Sequence, residues 1–330
     1  MFTESALRDN PSLIVAFTGI PADVFWVKVA EMGEKMSEYE TARHSRDSRQ
    51  RAIGAGRKFA HSLAQRVVAI LSYLRLHVPQ AVIGLMFDVP QYDISRDLRR
   101  LLPLVQDVLP CPELWEIDKE KPEIPMPLTF VQLTDGHALV DATEQRVSRP
   151  GKDNETRKQF FSGKKKEFTV KTQFVTDGCH HIVAITTAVP GAMHDKKLSD
   201  KACTLDRLPD GCEVEADKGY QGMAEQVGLV TVVNPETGEA QEVPRITVRI
   251  PFKKPKGKEL TKEERAFNHQ VGGLRVRVEH CIGWAKNWAI LANRFRCDHS
   301  IYTSVMRTIC GLVNAQTQRW QAASTSANCA

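Results

Sequence analysis

The alternation of apolar and polar positions divides the chain into a helical first third and a strand-rich remainder. In residues 21–40, PADVFWVKVAEMGEKMSEYE, the side chains of Val24, Val27, Val29 and Met32 form a rough apolar stripe. Pro21 suits a first helical position, where the missing N–H has no intrahelical partner to lose. Further on, SLAQRVVAILSYLRLHV sets Leu63, Val67, Ile70, Leu71 and Leu74 at helical spacing before Pro79 breaks the run. QAVIGLMF then predicts a short second helix and DVPQ a turn. YDISRDLRRLLPLVQDVL predicts a third helix, bent or ended near Pro103. A short helix, a turn of about four residues and an arginine-rich helix describe a helix-turn-helix.

Pro110, Pro112, Pro122, Pro125 and Pro127 crowd the next stretch, which reads as a connection between domains. Beyond it, ALVDAT, FTVKTQFVTD, HIVAITTAV, CEVEAD and RITVRIPFK are β-rich runs bounded by glycine, proline or aspartate. Residues 261–295 return to helical spacing, and residues 299–320 predict a last helix. The expected organisation is an N-terminal helix with a basic linker (1–60) and a helix-turn-helix domain (61–110). A proline-rich connection (111–129), an α/β domain (130–298) and a C-terminal helix and tail (299–330) follow.

At 330 residues the chain is long enough for two domains and a sizeable core. The net charge of +5 is too mild to name a partner; the distribution of the bases says more. Eight cysteines form no CxxC pair and no Cys/His cluster of zinc spacing, so reduced thiols in a cytosolic protein are expected. The N-terminal segment carries acids and no long apolar run, so no signal peptide is expected. No run approaches about 18 apolar residues, so no membrane span is expected either.

Three acids stand out by position. Asp141 lies inside the first β-rich run, and Asp217 follows a later one at the glycine turns of EADKGYQG. Glu279 lies on the long helix, in RVRVEHCIGWAKNW. There Val278, Cys281, Ile282, Ala285, Ala289 and Ala292 make the apolar stripe, with Glu279 at its edge. Arg275 and Lys286, at i−4 and i+7, share the face of Glu279. Cleavage of a phosphodiester with two magnesium ions needs about three carboxylates on rigid elements. Magnesium prefers oxygen ligands and keeps several waters, so two aspartates and a glutamate suffice.

At this point the sequence resembles the DDE-type transposases of bacterial insertion sequences, in the group related to Harbinger-type transposases. LSYLRLHVPQAVIGLMFDVPQYDISRDLRRLLP is similar to their helix-turn-helix, and VDATEQRV to the first catalytic strand. KKKEFTVKTQFVTDG with VPGAMHDKKL resembles the strand pair and its His-Asp turn. ADKGYQG and FNHQVGGLRVRVEHCIGWAKNWAIL resemble the second and third catalytic blocks. Ala142 stands where the family usually has glycine, Asp88 where the turn has glycine, and Gly84 where alanine is usual.

The resemblance implies an α/β fold: a ribonuclease-H-like catalytic domain with a mixed sheet, preceded by the all-α helix-turn-helix domain. It implies Asp141, Asp217 and Glu279 as the catalytic and metal-binding triad, with two Mg²⁺ or Mn²⁺ per active site. Separations of 76 and 62 residues along the triad are compatible with that fold. The implied partners are double-stranded DNA, both transposon ends and target. A homodimer or larger assembly on DNA is implied because two ends must be paired. No membrane is involved, and the location is the bacterial cytoplasm, with the nucleoid. Two rival readings are a transposase-derived DNA-binding regulator without catalysis and a stand-alone ribonuclease-H-like nuclease. Intact acids at all three positions argue against the regulator.

Asp195 reads as an N-cap for a helix starting at Lys196 or as a supporting metal carboxylate, with the cap favoured. His194 orients a phosphate or packs in its turn. His180 and His181 read as surface residues of a hairpin turn, and Trp284 and Trp288 as core. On the presumed recognition helix, Gln91, Tyr92, Ser95, Arg96, Arg99 and Arg100 face DNA. Two basic runs lie between the catalytic blocks and read as phosphate contacts. The first holds Lys152, Arg157, Lys158, Lys164, Lys165 and Lys166; the second holds Lys253, Lys254, Lys256, Lys258, Lys262 and Arg265. Arg43, Arg46, Arg49 and Arg51 track phosphates or belong to a disordered linker.

Overall fold

The computed structural model describes residues 2–45, 59–117, 128–129, 132–133, 135–151, 153–233 and 239–328. Arg46, Arg49, Arg51, Lys152, Pro122, Pro125 and Pro127 lie outside the described residues. The chain forms two compact units. One comprises Met1–Cys111, Ala285–Asn293 and Cys297–Ala330; the other comprises Pro112–Trp284 and Arg294–Arg296. No single helix among the described residues is long and apolar enough to cross a membrane.

The first unit begins with α1 (Glu4–Asp9), α2 (Pro11–Thr18) and α3 (Ala22–His44). Pro21 is the N-cap of α3, one place before the expected N1. The buried stripe of α3 runs through Phe25 and Met32, while Val27 is exposed. The two larger side chains bury more apolar area than the valines, so they set the helix's rotation. Next come α4 (Leu63–Leu76), α5 (Gln80–Phe87) and α6 (Gln91–Gln106). Ser62 and Gln65 close a capping box at the start of α4, typically worth about 1 kcal/mol. Arg66 on α4 makes a two-pronged pair with the carboxylate of Asp97 on α6, both buried. Removing either partner would strand a buried charge at a cost of about 3–5 kcal/mol.

The α5–α6 corner explains two of the sequence's departures together. Asp88 takes the left-handed conformation, φ +57°, that a glycine would otherwise supply. A Cβ on Gly84 would stand 2.5 Å from the carbonyl oxygen of Val89, so the chain can turn this tightly only over glycine. α6 continues through Pro103 to Gln106 rather than ending there.

The second unit is built on a mixed sheet. Its strands are β1 (Glu113–Trp115), β2 (His137–Arg146), β3 (Phe161–Ser162), β4 (Glu167–Thr176) and β5 (Ile182–Thr186). They continue with β6 (Val189–Pro190), β7 (Glu213–Ala216), and β10 (Thr247–Arg249), after the separate hairpin of β8 (Leu229–Val233) and β9 (Ala240–Pro244). The order is β1-β5-β4-β2-β7-β10, with β3 and β6 attached to β4. β2, β4 and β5 are antiparallel; β7 joins β2, and β10 joins β7, in parallel. This is a ribonuclease-H-like arrangement. β1 was not expected: it stands within the proline-rich stretch and pairs in parallel with β5.

One face of the sheet buries Val140, Val175, Ala184, Val214, Ala216 and Tyr220 in a common core. Strand alternation therefore turns Asp141 to the opposite face. The unit also holds α7 (Asn154–Phe160), α8 (Asp195–Lys201) and most of α9 (Lys262–Lys286). Val271, Val278 and Cys281 of α9 are buried. The helical stretch expected to reach residue 295 breaks after Lys286. The first unit then adds α10 (Ala289–Ala292) and α11 (Tyr302–Asn328). Among the described residues seven cysteines carry free thiols.

Candidate active site

β2 and β7 are neighbours in parallel register, with Val140 opposite Ala216. Asp141 follows one and Asp217 the other, so the register carries both carboxylates to the same level of the sheet. Beyond Ala216 the chain makes a single tight turn, Lys218–Tyr220, anchored by the fully buried Tyr220. Glu279 comes from α9, one helical turn after Arg275.

The three acids meet at one guanidinium. Arg275 lies 3.3 Å from Asp141 Oδ2, 3.4 Å from Asp217 Oδ1 and 3.6 Å from Glu279 Oε1. Its own Nε is buried with no hydrogen-bond partner. Asp217 and Glu279 are open to solvent, at 44% and 53% side-chain exposure, whereas Asp141 sits deeper at 21%. Burial pushes the Asp141 carboxyl up to about 6. Arg275 and a hydrogen bond from the Ala142 N–H oppose the rise, and Asp217 and Glu279 add to it. Three carboxylates against one guanidinium leave negative charge uncompensated. The donor set, all oxygen and already drawn around one cation, fits a hard divalent ion.

Asp195 is not the cap. α8 starts at Asp195 itself, and His194 is the N-cap, its Nδ1 accepting the Lys196 N–H at 3.3 Å. Asp195 Oδ1 instead lies 2.7 Å from Lys171 Nζ, and the Met193 carbonyl accepts from the same ammonium at 2.6 Å. A Cβ on Gly219 would come 2.9 Å from Asp195 Oδ2, so the turn after Asp217 rests closely on this carboxylate. Lys171 is buried on β4, across the sheet, where no local spacing in the sequence could have revealed it.

A second charged cluster has no counterpart among the residues singled out from the sequence. His137 Nδ1 is 3.2 Å from Glu215 Oε1, and Arg249 NH1 is 3.1 Å from Glu213 Oε2 and 3.7 Å from Glu215 Oε1. Glu215 is fully buried, and that burial raises its carboxyl; His137 and Arg249 oppose the rise. His137, Glu213 and Glu215 offer atoms within 4.8 Å of one another, but the Arg249 guanidinium already serves the two glutamates. The signal was present: Glu213, Glu215 and Asp217 alternate along one strand and share a face.

The histidine pair, expected at the surface, is only partly exposed, and His180 packs against α9. His180 and His181 are both half-buried, and burial lowers the pKa of each. His180 stacks on His280 at 5.5 Å and 9°, and Trp284 lies 5.2 Å from His180. Trp284 is thus half-buried against imidazoles, while Trp288 is core as expected.

In the first unit, α6 presents Gln91, Tyr92, Arg96 and Arg99 exposed and Ser95 half-buried. With Arg43, residues Tyr92, Ser95, Arg96, Arg99 and Arg100 line a cavity of about 400 Å³. Arg96 pairs with Asp93 at 2.8 Å, on the same exposed face. Arg100 differs: it lies 2.7 Å from Glu40 and stacks over Phe59. In the second unit Lys164, Lys165 and Lys166 are exposed in the β3–β4 turn. Lys286 is the last residue of α9 and belongs to the first unit.

A ribonuclease-H-like sheet with two aspartates carried by neighbouring strands and a helical glutamate, gathered around one guanidinium, defines a nuclease class. The chain belongs to the DDE superfamily endonuclease family, which residues 140–314 match. It is also similar to the "Probable transposase for insertion sequence element IS702" of Microchaete diplosiphon. The two are 27% identical over 259 residues, covering 78% of this chain and 82% of that protein.

Proposed function

We propose that this endonuclease is a transposase that recognises the ends of a DNA element, cuts there and joins the ends to target DNA. The observation that carries the reading is the meeting of Asp141, Asp217 and Glu279, from three separate elements, at Arg275. Those carboxylates would hold two Mg²⁺ or Mn²⁺ ions, which supply Lewis-acid chemistry to both ends of the bond being cut. Arg275 keeps the acids converged, and its guanidinium has the planar donor geometry that suits a phosphodiester. Asp195 and Lys171 support the turn that carries Asp217. No covalent enzyme intermediate is needed, since the side chains bind and orient without attacking.

End recognition falls to α6, with Gln91, Ser95, Arg96 and Arg99 toward base edges and phosphates. Arg100 acts through Glu40, holding α6 against α3. Lys164, Lys165, Lys166 and Lys286 add sequence-independent phosphate contacts. Two ends must be brought together, so the working form is a dimer or larger on DNA. A supercoiled plasmid carrying the element's two ends tests the reading. With magnesium, cuts should map to the ends and joined products should appear; a chelator should abolish both. Cutting scattered along the plasmid without joining would make the protein a stand-alone nuclease instead.

A further inference from the structure

The β3–β4 hairpin carries a feature that end cutting does not use. β3 is two residues long and places Phe161 opposite Phe168, the rings edge-to-face at 5.7 Å. Ser162 turns inward and is buried, so strand alternation sends Phe161 outward, where it remains 41% exposed. Both rings line two cavities. One, of about 290 Å³, is lined by Arg146, Arg149, Lys166, Arg294 and the single carboxylate Glu167 around Phe161 and Phe168. The other, of about 510 Å³, is lined by the same rings with Arg157, Lys158 and Glu155. Arg294 reaches this place because Phe295 bridges to Val147 and its N–H donates to the Arg146 carbonyl at 2.8 Å.

The charges are arranged unevenly. Arg146 is paired with Glu167, and Lys158 with Glu155. No carboxylate among the described residues lies within ion-pairing distance of Arg149, Lys166 or Arg294, although all three line the smaller cavity. A flat ring with uncompensated cations beside it matches a nucleotide: base on the ring, phosphate on the cations. Duplex DNA would use only the cations, because its bases are stacked inside and show no face. An unpaired base has a face to offer. Val147, which also lines the smaller cavity beside Phe168, is six residues from Asp141 and so on the same face of the sheet, about 20 Å away at the usual rise per residue. A strand lying on the hairpin can therefore run on to the acids.

On this basis, and resting on the reading of the chain as a DNA-cutting enzyme, we infer that Phe161 and the Arg149–Lys166–Arg294 cavity bind an unpaired nucleotide of a DNA strand near the cut. The test is fluorescence anisotropy of the full chain with labelled oligothymidylate and with labelled element-end duplex. Phe161→Leu keeps an apolar side chain in the hairpin but removes the π-face. It should weaken oligothymidylate binding on the order of ten-fold, while Phe161→Trp binds as well as wild type or better. Both should bind the duplex unchanged. Arg149→Ala with Arg294→Ala should flatten the salt dependence for the single strand by roughly 0.7 for each phosphate no longer neutralised.

Equal oligothymidylate binding by Phe161→Leu and wild type would overturn the inference. So would parallel loss of single-strand and duplex binding in both the leucine and tryptophan variants, which would make Phe161 a packing residue. Thymidine monophosphate competing as well as the oligomer would assign the cavity to a free nucleotide instead. A wild-type chain that binds and cuts duplex ends but ignores oligothymidylate refutes this site alone. One that binds no DNA refutes the DNA-cutting reading with it.

Discussion

Asp141 is ionised only against the cost of its own burial. Its carboxyl is raised from 3.8 to about 6, first by burial and then by the neighbouring acids. A raised folded-state value means that the folded protein holds the proton more tightly than the unfolded chain does. The resulting stability is fully present below about pH 3.8 and is lost as pH rises through about 6. Asp141→Asn should therefore stabilise the metal-free protein by about 2 kcal/mol at pH 7.5 and by nearly nothing at pH 3.5. Urea unfolding in the presence of a chelator, at both pH values, measures this. An equal effect at both would mean that the ionised carboxylate is not disfavoured where it stands. The acids themselves were legible in the sequence because each sits at a recognisable junction: mid-strand, strand end, and the edge of a helical stripe. Lys171 was not, and neither was the pairing that gives Asp195 its place or the burial that sets Glu215 apart from its strand neighbours. Their meaning depends on partners across the sheet or on burial, and neither leaves a mark in local spacing.

At the scale of elements, α6 separates two kinds of arginine that looked alike in sequence. Arg96 is exposed, with 57% of its side chain in solvent, while Arg100 is at 14% and tied to Glu40. Burial would raise the Glu40 carboxyl, yet hydrogen bonds from Arg100 and Arg43 bring it down to about 2. Arg96→Ala should weaken binding to the element's ends by about 1–3 kcal/mol if it reads a base, with little change in stability. Arg100→Ala should do the reverse, destabilising by about 1–2 kcal/mol through the missing pair and the missing packing on Phe59. A gel-shift titration and a melting curve on each variant decide it; matching drops in affinity would return Arg100 to the DNA face. In the first unit α3 to α6 were readable because prolines and the 3.6-residue period mark their ends, whereas the short α1 and α2, and α10 as a separate helix, were not expected. β1 was hidden among prolines, and the β8–β9 hairpin shows no inward-facing period, since Leu229, Val232 and Val233 are exposed.

For the whole molecule, one unit holds the proposed recognition helix and the other holds every carboxylate of the triad. Binding and cutting should therefore come apart under mutation. Asp141→Asn, Asp217→Asn and Glu279→Gln preserve shape while removing charge, so they should leave DNA binding intact or tighter beside a polyanion. Asp195→Asn belongs in the same series, because its pair with Lys171 supports the Asp217 turn without meeting Arg275. It should slow cutting less than the triad variants do. The most direct measurement is magnesium-dependent cleavage of a labelled element end by the wild type and these four variants, with binding read on the same samples. A metal-holding role for the three acids requires each triad variant to bind the end but cut it orders of magnitude more slowly than wild type. Three triad variants that cut at the wild-type rate would contradict it.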